Sequence, residues 1–431
     1  MNFSNCIKYS NDVQFSYDGN YLAIAKGPNL VVYESFQMQT LFKLTFPCSI
    51  TQLEFSKDSV LILIGLGKLN QCIIKSLEDI TWECKINESS FGISNCIWSP
   101  DSAKVLIISN YNIKLGIWSI IEETQPQYIS LPKFSHRGLC FSSNNSFMAL
   151  LERKDNKDYI GVYFIGDFSL LNHFILNTTD AQDVIWSKDN TALIIYDSPI
   201  ECKILIYSPT GNLLMMNEAY TDNMGVISLS LSPNGHYITG GYGDNKIRIF
   251  NHMTYKLIAT LDNIITEKNI KNTTFHIFKE VDVKSGSEIK TTKFEPQKYT
   301  SNLIKKSKIS NEEEEYTFIL EYSYDSNYLA VNLKDYPNIV WIWQLSSLSL
   351  TTVISFQKNI NVLKWSPSEH KLIIGTDNSR CYFFSLDNIY VIELPTPNMK
   401  IIQIKWNYDG KSFLLCDKCK LLIGFSDIEE I

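Results

Sequence analysis

Histidine is scarce. His136, His173, His236, His252, His276 and His370 are the only six in 431 residues, and no two stand at metal-ligand spacing. There is no His-Glu-x-x-His pair, no Gly-x-Ser-x-Gly elbow and no Walker-type phosphate loop. Those absences leave the chain without a recognisable catalytic motif, and no cofactor or metal is called for. Long apolar runs are missing too: the longest, Val60 to Leu66, is far too short to cross a bilayer, and the N-terminus does not read as a signal peptide. The expectation is a soluble, intracellular protein with no membrane insertion. Positive charge is not in excess, with 39 Lys and Arg against 46 Asp and Glu, so nucleic-acid binding is not expected. The ten cysteines show no zinc or disulfide spacing. Cys72, Cys96, Cys140, Cys202 and Cys381 fall at strand positions, and the lone pair Cys416 and Cys419 reads as a strand turn.

What the chain has is a repeat. From Leu229 to Leu261 four short strands follow one another, the first closed by a Ser-Pro-Asn-Gly turn at Ser232. The same signature, an apolar residue, Ser or Asn, any residue, then Asp, Asn or Ser, recurs at Ser16, Ser56, Ser99, Ser142, Ser187, Ser323 and Ser366, with Asn407 last. Successive copies, Ser232 included, are 40, 43, 43, 45, 45, 91, 43 and 41 residues apart. A four-stranded unit cannot bury its faces alone, and a period of about 40 to 45 residues is that of WD40-type propeller blades. The fold class is therefore all-β, one WD40-type β-propeller over residues 1–431. Nine blades are counted, with seven or eight as the alternative.

Phe3 to Tyr9 precedes the first repeat, and the last repeat stops without a fourth strand. The N-terminal strand is expected to pair with the last blade and remove its free edge. The 91-residue gap holds an insertion, residues 263–315, rich in lysine and ending in Glu312 to Glu315. Only Thr274 to Val283 resembles a strand, so this segment is read as a mostly disordered charged loop between blades six and seven. Trp98, Trp186, Trp365 and Trp406 recur at the end of the first strand, and Trp118 and Trp343 in the third, as blade-packing residues.

Several short stretches carry a family resemblance. Met1-Asn-Phe-Ser4, Ala149 to Tyr159, Glu201 to Tyr207 with Gly211 to Leu214, Lys246 to His252 and Pro337 to Trp343 together resemble the WD-repeat family encoded antisense to the p73 tumour-protein gene. The resemblance spans the chain except Asn263 to Glu315. It implies a non-enzymatic scaffold of the centrosome, spindle pole or basal body, in the cytoplasm and cytoskeleton. There such a scaffold would bind a coiled-coil anchoring protein, and by extension a minus-end-directed kinesin and the γ-tubulin machinery, to tether microtubule minus ends and serve cilium biogenesis. The nine-bladed propeller of a translation initiation factor is the alternative, although such a factor is expected to carry a basic C-terminal extension. An active site assembled across blades is a third reading. Phosphoinositide-binding propellers use a paired arginine, and no Arg-Arg occurs.

Loops on a rigid scaffold are where binding residues concentrate. Three turns between second and third strands are read as long: Glu152 to Asp158, Asp197 to Glu201 and Lys334 to Asn338. In an antiparallel meander these lie at the same end of the blades as the insertion. Arg153, Lys154, Lys157, Asp158, Asp197, Glu201, Asp335 and Tyr336 are the candidate partner-binding residues, with Tyr336 as aromatic anchor. Replacing Arg153, Lys154 and Lys157 by Glu is expected to weaken partner binding without changing the melting temperature.

Overall fold

The computed structural model describes residues 2–88, 91–122, 125–218, 225–263, 275–285, 289–297, 318–386 and 388–426. Each serine signature is a closed loop between two strands. In the first, the Ser16 hydroxyl bonds Asp18 and accepts the Tyr21 amide at 2.9 Å, while Asp18 accepts the Asn20 amide at 3.1 Å. The serine oxygen lies 2.9 Å from the amide five residues on at Ser56, Ser99, Ser142, Ser187, Ser232 and Ser323 as well. A short polar side chain that bonds its own backbone stabilises a turn in place of a regular ladder. In these seven turns the residue three after the serine is left-handed, from φ 56° at Asn145 to 79° at Gly19, which is why Gly, Ser and Asn occupy it; the turn at Ser366 has Glu369 there and does not share this geometry.

These turns start nine blades; the first eight are meanders of four consecutive antiparallel strands called a to d, and blade 9 has three consecutive strands of its own, a to c. Blades 1 to 5, residues 13–45, 52–87, 93–130, 139–175 and 183–218, lie in one compact unit of residues 8–221. Blades 6 to 9, residues 226–262, 319–355, 360–393 and 403–425, lie in a second unit of residues 1–7 and 222–431.

Within each unit the apolar core sits between neighbouring blades. Strand b of blade 3, Lys104–Ser109, sends Val105 and Ile107 into a cluster shared with blade 2, and Leu106 and Ile108 into one shared with blade 4. A strand buried on both faces reads as an unbroken apolar run rather than an alternation. Tryptophans at the end of strand a tie a blade to its predecessor. The Trp98, Trp365 and Trp406 indoles donate to the carbonyls of Glu54, Glu321 and Lys364 at 3.2, 3.0 and 3.3 Å. Trp186 stacks on Phe147 and its indole N–H has no protein acceptor.

The N-terminal strand Asn2–Phe3 is the outer strand of blade 9, with Phe3 opposite Gly424. The Ser4 amide donates to Ile423 O at 2.9 Å, the Ile423 amide donates to the Ser4 hydroxyl at 3.1 Å, and the Phe3 ring meets Phe413 edge-on. Cys416 is buried and Cys419 exposed, on either side of a turn closed from Asp417 to Lys420.

The insertion contributes two strands where the sequence suggested one. His276–Ser285 runs parallel to the outer strand of blade 7, His276 opposite Thr352, and Ile289–Pro296 returns antiparallel, so that blade 7 becomes a six-stranded sheet. Glu280, fully buried, accepts the Tyr382 hydroxyl at 2.7 Å, the Gln357 amide at 2.7 Å and Arg380 at 3.2 Å. Phe294 lies edge-on to Phe356 and Tyr382. The hairpin is thus pinned to blade 8 as well as to blade 7. Residues 264–274, 286–288 and 298–315 of the charged segment lie outside the described residues.

Candidate partner-binding surface on blades 4 and 5

Strands b and c of blade 4, Phe147–Lys154 and Lys157–Phe164, stay paired to their ends, Lys154 opposite Lys157. Asp155 and Asn156 alone form the turn, at φ 50° and 59°, the two left-handed positions that a tight hairpin needs. The expected long turn over 152–158 is therefore an elongated hairpin. The same correction applies to blade 7, where Leu333 pairs with Tyr336 and only Lys334 and Asp335 intervene. Blade 5 does have an open turn, closed by the Glu201 amide on Ser198 O at 3.0 Å.

Beneath the blade 4 tip the candidate charges sort into two groups. Asp158 is fully buried and accepts four donors: Lys133 at 2.9 Å, Arg153 at 3.0 Å, the Thr178 hydroxyl at 3.0 Å and the Ala181 amide at 2.7 Å. Lys133 and Arg153 also reach Asp180 at 2.8 and 2.9 Å. Burial works against the Asp180 charge, yet the hydrogen bond from Lys133 and the fields of Lys133 and Arg153 hold its carboxyl below the usual range. Asp197, also buried, accepts the amides of Thr179, Asp180 and Ser198 at 2.8, 2.7 and 2.8 Å. Asp158 and Asp197 consequently bind the link between blades 4 and 5 rather than facing solvent, and Arg153, its side chain 32% exposed, is tied to the same link.

Lys154 and Lys157 are exposed at the tip. Glu201 pairs with Lys203 at 3.1 Å, and that contact holds its carboxyl below the ordinary value. Beside it stands Ile200, 89% exposed. Asp335 and Tyr336 belong to the other unit. Asp335 accepts the Asn245 side chain at 2.8 Å, and Tyr336 is half-buried with its ring edge-on to Trp341, so it serves packing.

Sequence reasoning missed Lys133 and Asp180, because a lysine or aspartate in a link between blades looks the same whether it is solvated or buried. It also missed Ile200, whose signal was present: an isoleucine between Pro199 and Glu201 in a turn has no strand face to bury. Among the described residues no three His, Cys, Asp or Glu side chains stand together as a metal site. What the arrangement offers is a rigid, ion-locked base carrying two exposed ammonium groups and an exposed apolar side chain.

Comparison with known proteins agrees with this architecture. The WD domain, G-beta repeat family matches residues 211–251, from the end of blade 5 through the third strand of blade 6. Over its whole length the chain is 29% identical to the WD repeat-containing protein WRAP73 of Mus musculus, covering 97% of that protein. A WD repeat-containing protein of Schizosaccharomyces pombe is 24% identical over 80% of this chain and 74% of its own. Among solved structures, the C-terminal WD40 domain of Sif2 superposes with a TM-score of 0.54 over 98% of both chains, and a eukaryotic initiation factor with 0.59 over 89% of this chain and 88% of its own. Both are 12% identical, so the likeness is one of fold. The blades are of WD40 type throughout, and over its whole length the chain is similar to the WD repeat-containing protein WRAP73.

Proposed function

We propose that this WD-repeat scaffold works at the centrosome and spindle pole, or at a basal body, where it binds a coiled-coil anchoring protein and helps to hold microtubule minus ends. A kinesin directed to minus ends and the γ-tubulin machinery would join through that partner. Support comes from the full-length similarity to WRAP73, which spans every blade. The observation that carries partner binding is the blade 4 tip: Lys154 and Lys157 stand exposed on a hairpin whose base is fixed by Asp158. A surface already held rigid loses little entropy on binding.

The test follows from the sorting of the charges. Lys154→Glu with Lys157→Glu, made in the full chain and expressed in its own cells, reverses the exposed charge and leaves the buried network whole. Recovery of the coiled-coil partner should fall at least tenfold and the protein should leave the poles, with a melting temperature within about 2 °C of the parent. Unchanged recovery and pole localisation in the folded variant overturn the proposal. Arg153 is left out of this test: Arg153→Glu would set a third carboxylate beside Asp158 and Asp180 and lower the melting temperature through the ion network.

A further inference from the structure

The turn between strands b and c of blade 3 shows an arrangement that fold stability does not explain. Tyr111 sits there at φ 59°, 93% exposed, followed by Asn112 at φ 55°. Left-handed backbone is costly for a residue with a β-carbon, and a side chain so exposed recovers little of that cost by packing. Leu131, on the link into blade 4, is also left-handed at φ 60° and exposed. Glycine would suit both positions better. Strain held in this way collects where a surface is used for binding.

The two positions are joined to each other and to the blade 4 tip. The Leu131 amide donates to Ile113 O at 3.0 Å, and the Arg153 amide donates to Leu131 O at 3.2 Å. The Asn112 side chain donates to Lys133 O at 2.9 Å, and Lys133 in turn holds Asp158. Tyr111, Ile113, Leu131, Lys154 and Lys157 therefore occupy one continuous stretch within a single unit. The carboxylates beneath the tip are already paired: Glu88 with Lys114 at 2.7 Å, Asp158 and Asp180 with Lys133 and Arg153. At the tip itself the ammonium groups of Lys154 and Lys157 flank the single exposed carboxylate of Asp155, which leaves the tip net cationic on a chain of net charge -7.

We infer that Tyr111, Ile113 and Leu131 are the apolar anchors, and Lys154 and Lys157 the charge partners, of a docking surface for an acidic segment of a partner chain that carries apolar side chains. The inference rests on the scaffold function proposed above and specifies the chemistry of its partner. An aromatic and two aliphatic side chains beside lysines match what binding hot spots and electrostatic steering require.

Two experiments on the full chain test it. In the first, Tyr111 is replaced by the photoreactive p-benzoylphenylalanine, the cells are irradiated, and the adduct peptide is sequenced. An adduct peptide holding more Asp and Glu than Lys and Arg is expected; a basic or uncharged segment, a nucleic acid, or no adduct overturns the inference. The second is Tyr111→Gly, which relieves the strain. Its melting temperature should equal or exceed that of the parent while recovery of the cross-linked partner falls at least tenfold. Unchanged recovery overturns the anchor role. The two readings separate cleanly: an acidic adduct on a protein that is not found at the poles removes the localisation alone, whereas a protein found at the poles with no adduct at position 111 removes this surface alone.

Discussion

Glu54 lies on the inner strand of blade 2, and Trp98 of the next blade donates its backbone amide to the carboxylate at 3.2 Å. Burial pushes the Glu54 carboxyl up to about 7; the Trp98 amide and the charge of Lys57 oppose the shift without cancelling it. A carboxyl with a raised folded-state pKa binds its proton more tightly folded than unfolded, so it favours the folded state at low pH. Its contribution declines as pH rises from about 4.5 to about 7, by roughly 2 to 3 kcal/mol. Glu54→Gln keeps the hydrogen-bond acceptor and abolishes the charge. It should raise the melting temperature at pH 8 and give no gain at pH 4, read from thermal unfolding at both values. An equal effect at the two pH values would show that the side chain acts by shape rather than by charge. The serine turns belong to the same scale. They were legible because the Ser and Asx side chains close each turn within six residues, so the physics and the sequence window coincide. The buried cluster around Asp158 was not legible, because its members come from residues 133 to 181 and nothing local marks a charge as buried.

At the scale of elements, the hairpin His276–Ser285 and Ile289–Pro296 depends on Glu280, whose three donors come from blade 8 and the link before it. Removing one member of a buried charge pair typically costs about 3–5 kcal/mol. Glu280→Ala should release the hairpin, and limited trypsin digestion should then cut at Lys279 and Lys293 before any blade is cleaved, while the parent resists at both. Equal resistance in the variant would show that strand pairing alone holds the hairpin. The sequence hinted at the first strand through the alternation of Ile277, Lys279, Val281 and Val283 with their neighbours. It was silent on the second, Ile-Lys-Thr-Thr-Lys-Phe-Glu-Pro, which has two widely spaced apolar residues and becomes a strand because a partner lies beside it. The blade 4 tip failed for the opposite reason: a charged run reads as loop, yet Asp155 and Asn156 accept left-handed backbone and let the strands continue to the turn.

For the molecule as a whole, the cysteines report how the blades protect their interiors. Cys72, Cys96 and Cys202 are buried in one unit, Cys381 and Cys416 in the other, while Cys6 and Cys419 are exposed. Burial pushes the Cys381 thiol above its ordinary range, and the Cys96 side chain together with burial does the same for Cys72. Maleimide applied to the native protein should modify Cys6 and Cys419 within minutes and leave those five untouched until denaturant is added, as peptide mass spectrometry would show. Early modification of Cys72 or Cys381 would mean that blades open locally without global unfolding.

The pairing of Phe3 with Gly424 also sets a schedule for the chain during its own synthesis. Phe3 leaves the ribosome 421 residues before its partner. At about 5 to 20 residues per second, that separation corresponds to roughly 20 to 80 seconds of translation. The serine turns and the blades they start can form as each emerges, because their contacts are local. Blade 9 is different: its outer strand waits unpaired for that whole interval. That strand is the stretch a chaperone would need to shield.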